Sequence, residues 1–215
     1  KKSRISKYVT NCNKSLAIRF PKHRMLRQLL KNLDFPLAAP SANISTKLSS
    51  VQVSDVREEF GSKIKYILNG GKCKIGVEST IVNLTSKPSI LRFGGLDISN
   101  IQKVLKKKIS INTKSKKKIA PGQFDLHYSP GIPLRTNVKI PKKNEAFLLI
   151  KKRKVTLKNY YYLSKKKNLK QVAKNLYSLL RKVKKDGYKK IAVEQIPNTG
   201  FGKTINDRLN RASRF

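Results

Sequence analysis

The chain is predicted to be an α/β protein: a twisted mixed sheet with flanking helices, then a small Rossmann-like α/β unit. Three observations predict this. Through the first half, short apolar runs alternate with stretches whose apolar residues recur at helical spacing. A lysine-rich stretch broken by Pro and Gly, 110–133, then interrupts the alternation. From Glu145 the pattern restarts as strand, helix, strand. The resulting division is a first unit over 1–111, a linker over 112–135 and a second unit over 136–215.

Taken in order, Lys1 to Cys12 is basic and polar without a clear element, and Ser15 to Phe20 suits a short strand closed by Pro21. Met25, Leu26, Leu29, Leu30 and Leu33 repeat at helical spacing, with His23 near the helix start as a surface or capping residue. An apolar run then ends at Ala39, which Pro40 restricts to extended geometry, so Ala39 closes a strand. Ser49 or Ser50 is placed to cap a helix that runs to Phe60 and stops at Gly61. Strands are expected over Lys65–Leu68, Thr80–Leu84 and Ser89–Arg92, and a short amphipathic helix over Ser99–Lys106. In the second unit, Ala146–Ile150, Tyr160–Leu163 and Lys190–Glu194 read as strands. Asn168 caps a helix whose Leu169, Val172, Ala173, Leu176, Leu180 and Val183 form one apolar face before Gly187, and a last helix covers Asp207–Arg214.

At 215 residues the chain is long enough to bury a real core. Its net charge of +39 draws it toward polyanions, RNA or nucleotide phosphates, although lysine is abundant throughout and marks no particular groove. Cys12 and Cys73 lie far apart without metal-ligand spacing and read as free thiols of a reducing cytoplasmic compartment. No apolar run approaches the roughly 20 residues of a membrane span, and no signal-peptide core follows Lys1-Lys2. The chain begins without Met, as a fragment would. Gly202-Lys203-Thr204 is not a phosphate loop, because Pro197 stands where that motif needs its first glycine.

The stretch Leu37 to Ser49, L-A-A-P-S-A-N-I-S-T-K-L-S, carries the chemistry. Ser41, Asn43, Ser45, Thr46 and Ser49 put donors and acceptors on a loop of little bulk, where a phosphate or carboxylate can approach the backbone. Spacing alone leaves this open against an ordinary solvated turn.

Further motifs stand around it in order: A-I-R-F-P (Ala17–Pro21), G-V-E-S-T-I-V (Gly76–Val82), L-R-F-G-G (Leu91–Gly95), A-P-G-Q-F-D-L-H-Y-S-P (Ala120–Pro130) and G-x-G-x-x-I-x-D-R-L (Gly200–Leu209). Together they resemble the threonylcarbamoyl-AMP synthases, in the two-domain form whose YrdC-like catalytic domain carries a second, C-terminal domain. The resemblance implies that L-threonine, bicarbonate or CO2, and ATP, with Mg2+, give threonylcarbamoyl-AMP and pyrophosphate. The adenylate then passes to a tRNA threonylcarbamoyl-transferase machinery. Carried over position by position, Arg19 holds the threonine carboxylate, Ala39 meets threonine through its backbone and Ser79 through its hydroxyl. Ser15, Ser41 and Ser49 bond the nucleotide, Arg92 adds positive charge near the phosphates, and Tyr128 reaches over the nucleotide from a linker that acts as a lid.

The sequence departs from the family in three places. Thr46 replaces a glycine, and Ser49-Ser50-Val51 replaces S-P-T. The opening strand with its P-T-E-T-like motif and the K-x-R motif that binds the triphosphate have no counterpart, so the chain alone is expected to be a poor catalyst. Two other readings compete. One is an RNA-binding protein using its basic surface without catalysis; the other is a carbamoyl-adenylate-forming maturation enzyme, which the linker and the C-terminal unit disfavour.

Overall fold

A computed structural model describes residues 6–10, 12, 15–113, 120–122 and 127–214. The elements run α1 (Lys7–Thr10), α2 (Arg24–Lys31), α3 (Val53–Phe60), β1 (Ile81–Asn83), β2 (Ser89–Arg92), α4 (Ile98–Leu105), β3 (Ser110–Ile111), β4 (Leu134–Arg135), β5 (Ala146–Leu149), β6 (Tyr160–Tyr162), α5 (Leu169–Lys185), β7 (Ile191–Val193) and α6 (Phe201–Ala212). They form two sheets, one ordered β1-β2-β3 and the other β4-β7-β5-β6. In the first, β1 pairs with β2 antiparallel and β3 joins β2 parallel, which makes the sheet mixed as expected. All pairings in the second are parallel. The charge run 114–118 and residues 123–126 of the linker motif lie outside the described residues.

The second sheet carries the main core. Side chains alternate across a strand, so Ala146, Leu148 and Ile150 face Val172, Leu176, Leu180 and Val183 of α5 and Ile205 and Leu209 of α6. Phe147 and Leu149 point the other way, onto Val138, Ala192 and the rings of Tyr160 and Tyr162. A parallel strand buried on both faces reads as a continuous apolar run, which is why β5 and β7 were visible in the sequence. Asn168 caps α5 as expected, its Oδ1 accepting from the Gln171 N–H at 3.1 Å.

Several expectations are corrected. Residues 15–20, 35–39 and 65–68 are not strands; Ile18, Phe20, Phe35, Leu37, Tyr66 and Leu68 are exposed. A strand requires a neighbour to take its N–H and C=O groups, and these segments have no ladder partner among the described residues. Neither Ser49 nor Ser50 caps α3. The N-cap is Gln52, and the buried Asp55 carboxylate of the first turn instead accepts from the Val51 N–H at 2.8 Å. Helix α6 starts at Phe201 rather than Asp207, because Gly202 lets its first turn press against the Pro197 carbonyl; a Cβ at 202 would sit 1.7 Å from that oxygen. Cys12 and Cys73 are free and exposed. No helix among the described residues is long and apolar enough to cross a membrane.

Candidate functional site

Arg92, the last residue of β2, is where the first sheet meets the linker. Its Nε and Nη2 both donate to the Ser79 carbonyl, at 3.1 and 2.9 Å, and its Nη1 donates to the Pro121 carbonyl at 3.3 Å. Burial pushes the guanidinium below its ordinary value. The bonds fix the Ser79 backbone while its side chain stays exposed. The next turn of chain lies flat on the same segment: the Gly95 N–H donates to the Glu78 carbonyl at 2.8 Å, and a Cβ on Gly94 would stand 2.2 Å from Ser79 and Thr80 backbone atoms.

Behind Ser79 runs a buried polar seam between the two units, with Glu78 at its centre. The carboxylate accepts from Ser49 Oγ at 2.5 Å, from Tyr177 OH at 3.1 Å to each oxygen, and from Arg208 Nε at 2.8 Å. Burial alone would raise this carboxyl. The Arg208 charge and the hydrogen bonds from Ser49 and Arg208 outweigh it and hold Glu78 below the usual glutamate range. Arg208 is only 1% exposed; it also donates to the Phe93 carbonyl at 2.6 Å and pairs with Asp207. Burial works against its charge, yet Glu78 and the neighbouring tyrosines and Asp207 hold it more firmly protonated than an ordinary arginine.

The linker enters the same seam through Tyr128. Its ring lies under the Arg208 guanidinium at 4.6 Å and stacks on Tyr177 with centroids 5.9 Å apart. The Tyr128 backbone takes a φ of 62°, and its hydroxyl is buried without a hydrogen-bond partner among the described residues. Burial pushes the phenol up and the adjacent His127 imidazole down.

The hydroxyl-rich loop is held from both sides. Ser129 of the linker donates its N–H to the Thr46 carbonyl at 2.8 Å and forms a parallel bridge with Lys47. Arg181 of α5 donates to the Leu48 carbonyl and to Glu59, both at 2.7 Å, while Glu59 accepts from the Ile44 N–H at 2.8 Å. Thr46 adopts a φ of 69°, the left-handed region that favours glycine and strains a β-branched side chain. The loop therefore keeps the backbone a glycine would choose. Thr46→Gly is expected to raise stability by about 1 kcal/mol, read as a higher urea midpoint at unchanged slope; a lower midpoint would count against strain at this position.

Comparisons with known proteins agree with this architecture. A family profile described as "Telomere recombination" matches residues 1–94, and one described as "Threonylcarbamoyl-AMP synthase, C-terminal domain" matches residues 96–214. The threonylcarbamoyl-AMP synthase of Pyrococcus abyssi is 30% identical over 98% of this chain and 67% of its own length. That of Bacillus subtilis is 29% identical over 97% of this chain and 66% of its own. The chain belongs to the threonylcarbamoyl-AMP synthase family. A crystal structure of P. abyssi Sua5 complexed with L-threonine superposes with a TM-score of 0.84, covering 97% of this chain and 67% of that one at 30% identity. A variant of P. abyssi Sua5 with adjacent His and Tyr both changed to Ala gives 0.82. The synthase of Schizosaccharomyces pombe is 30% identical over 97% of this chain and 60% of its own length. The chain thus spans about two thirds of the length of these relatives.

Within this synthase fold the expected site residues fall into two groups. Ser15, Arg19, Ala39, Ser41 and Ser79 are exposed. Ser49, Arg92 and Tyr128 are buried, and each has partners within the chain. Ser49 gives its hydroxyl to Glu78, Arg92 spends its guanidinium on carbonyls, and the Tyr128 ring is packed between Arg208 and Tyr177. A cavity of about 250 Å3 lies elsewhere, between α4 and α6, lined by Phe93, Leu96, Asp97, Gln102, Phe201 and Thr204 among others, and none of the eight lines it. Sequence reasoning gave Glu78 no role and missed Tyr177, Arg181 and Arg208. The available signal was the Asp207-Arg208 pair inside the G-x-G-x-x-I-x-D-R-L motif.

Proposed function

We propose that this chain takes part in making threonylcarbamoyl-AMP from L-threonine, bicarbonate or CO2, and ATP. The observation that supports it is the whole-chain likeness to a synthase whose structure is described as complexed with L-threonine. The threonine amine adds to CO2 to give a carbamate, whose oxygen attacks the α-phosphorus of ATP. A P–O bond forms, the bond to the β-phosphate oxygen breaks, and pyrophosphate leaves. No protein nucleophile is required. The protein's part is to place two anions side by side and offset their charge.

In this reading Arg19 grips the threonine carboxylate through two parallel N–H bonds. The Ala39 backbone and the Ser79 hydroxyl orient the rest of the amino acid, Ser15 and Ser41 bond the nucleotide, and Arg92 lends charge from behind Ser79. Ser49 and Tyr128 act at one remove, Ser49 by tying its loop to Glu78 and Tyr128 by closing the linker onto the seam. Part of the phosphate charge would be neutralised by Mg2+ brought in with ATP rather than by a carboxylate cluster of the described residues. The product adenylate is consumed by a transferase that modifies tRNA.

Titration of the chain with L-threonine, in the presence and absence of ATP and Mg2+, tests this reading. Binding is expected, and Arg19→Ala is expected to weaken it by a factor of about 10 to 100, the loss of a charged hydrogen-bonded pair. No binding of either ligand, or unchanged affinity in the Arg19 variant, would sink the assignment. Pyrophosphate release that depends on threonine and bicarbonate reads the complete reaction.

A further inference from the structure

Arg208 stands on the second unit, yet three of its contacts are with the first unit and the linker. Nε meets Glu78 at 2.8 Å, Nη2 meets the Phe93 carbonyl at 2.6 Å, and the guanidinium plane covers the Tyr128 ring at 4.6 Å. Glu78 is the residue before Ser79, and Phe93 is the residue after Arg92. The two segments are already laid against each other by the Gly95 N–H to Glu78 carbonyl bond at 2.8 Å. Thr204, one turn earlier on the same helix, adds a bond to the Gly94 carbonyl at 3.0 Å.

From this geometry we infer that Arg208 is a positioning residue for the substrate site, through which the second unit sets the placement of Ser79, Arg92 and the linker. The inference rests on the proposed function only where it concerns ligands. Its physical basis is direction rather than strength. A buried ion pair gains little over an apolar pair of similar volume, because desolvating both charges offsets most of their attraction. Two well-packed methionines at 78 and 208 would hold the units together about as firmly. They would not aim two N–H groups from one rigid planar fork at the carboxylate of residue 78 and the carbonyl of residue 93. Lysine at 208 would supply the charge but only a point contact, unable to hold Glu78 and the Phe93 carbonyl in fixed relative orientation.

The test compares the full chain with Arg208→Lys, Arg208→Met and the double variant Glu78→Met/Arg208→Met. Three quantities are measured: thermal unfolding, amide hydrogen exchange at 78–80, 93–95 and 127–129, and L-threonine affinity. Arg208→Met is expected to speed exchange in all three segments and to weaken threonine binding at least tenfold. Arg208→Lys should recover part of both. The double variant should regain the unfolding temperature without regaining either slow exchange or affinity. Should Arg208→Met fail to fold, the lysine and double variants decide. A folded double variant with wild-type exchange and affinity would overturn the inference, reducing Arg208 to a structural bolt. If the unaltered chain binds no threonine, the proposed function fails instead. Exchange then decides alone: faster exchange in these segments upholds the positioning role, and unchanged exchange overturns it.

Discussion

Replacing Glu78 by alanine is expected to destabilise the chain by about 3 kcal/mol. Removing one partner of a buried pair leaves the other charge without its counter-ion, and such losses run to about 3–5 kcal/mol. The lower end applies because Arg208 keeps Asp207 beside it and the Phe93 carbonyl within 2.6 Å. The same change strips acceptors from Ser49 Oγ and Tyr177 OH. Tyr177 is 1% exposed, so its hydroxyl cannot turn to bulk solvent. Equilibrium urea unfolding measures the loss, and a change under 1 kcal/mol would mean that the seam does not join the two units energetically.

Glu78 also fixes the sign of a pH dependence. Its carboxyl lies lower in the folded chain than in the unfolded one: burial opposes this, but Arg208 and the hydrogen bonds prevail. A depressed carboxyl contributes stability that is fully present above the ordinary glutamate value of about 4.3, and this contribution is lost as pH falls through the folded-state value. Unfolding midpoints should therefore stay level near neutrality and fall steeply only below about pH 4. Glu78→Gln should flatten part of that acid limb. An acid limb of equal slope in the glutamine variant would assign the effect to other carboxylates, such as Glu145, which Arg135 also holds low.

Local signals were legible in the sequence, and pairings over long distances were not. Helix α5 could be read end to end because Asn168, its apolar face and Gly187 are all encoded within twenty residues or so of each other. Strands β5 and β7 could be read because burial on both faces leaves an unbroken apolar run. Residues 15–20, 35–39 and 65–68 have the composition of strands, but whether such a run joins a ladder depends on a neighbour that composition cannot reveal. The site shows the same division. Ser79 and Arg92 do meet, through a carbonyl rather than through a shared ligand pocket. The family resemblance places Ser49 on a nucleotide, but nothing near it in the sequence announces the carboxylate 29 positions later that accepts from its hydroxyl. The Glu78–Arg208 pair spans 130 positions, and nothing near either residue advertises the other.

Gly94→Ala should cost more than any change to an exposed side chain of the candidate site. The new methyl would stand 2.2 Å from the Ser79 carbonyl carbon and the Thr80 nitrogen and 2.5 Å from the Glu78 carbonyl oxygen. Those are backbone atoms, so no rotamer change relieves the contact; 93–95 must lift away from 78–80. That movement stretches the Gly95–Glu78 backbone bond, the two Arg92 bonds to Ser79 and the Thr204 bond to Gly94. At about 1 kcal/mol net for each of the four bonds lost, together with about 1–3 kcal/mol for overpacking, the expected destabilisation is about 5–7 kcal/mol. The neighbouring glycine supplies the control. The atoms nearest a Cβ on Gly95 belong to the Ile75 side chain, at 2.8 Å, rather than to backbone, so Gly95→Ala should cost about 1 kcal/mol. Urea unfolding of the two variants side by side separates a backbone clash from a general intolerance of alanine in this turn. Equal losses would show that 93–95 does not rest on the Glu78–Thr80 backbone in solution, and the placement of Ser79 would then need another cause.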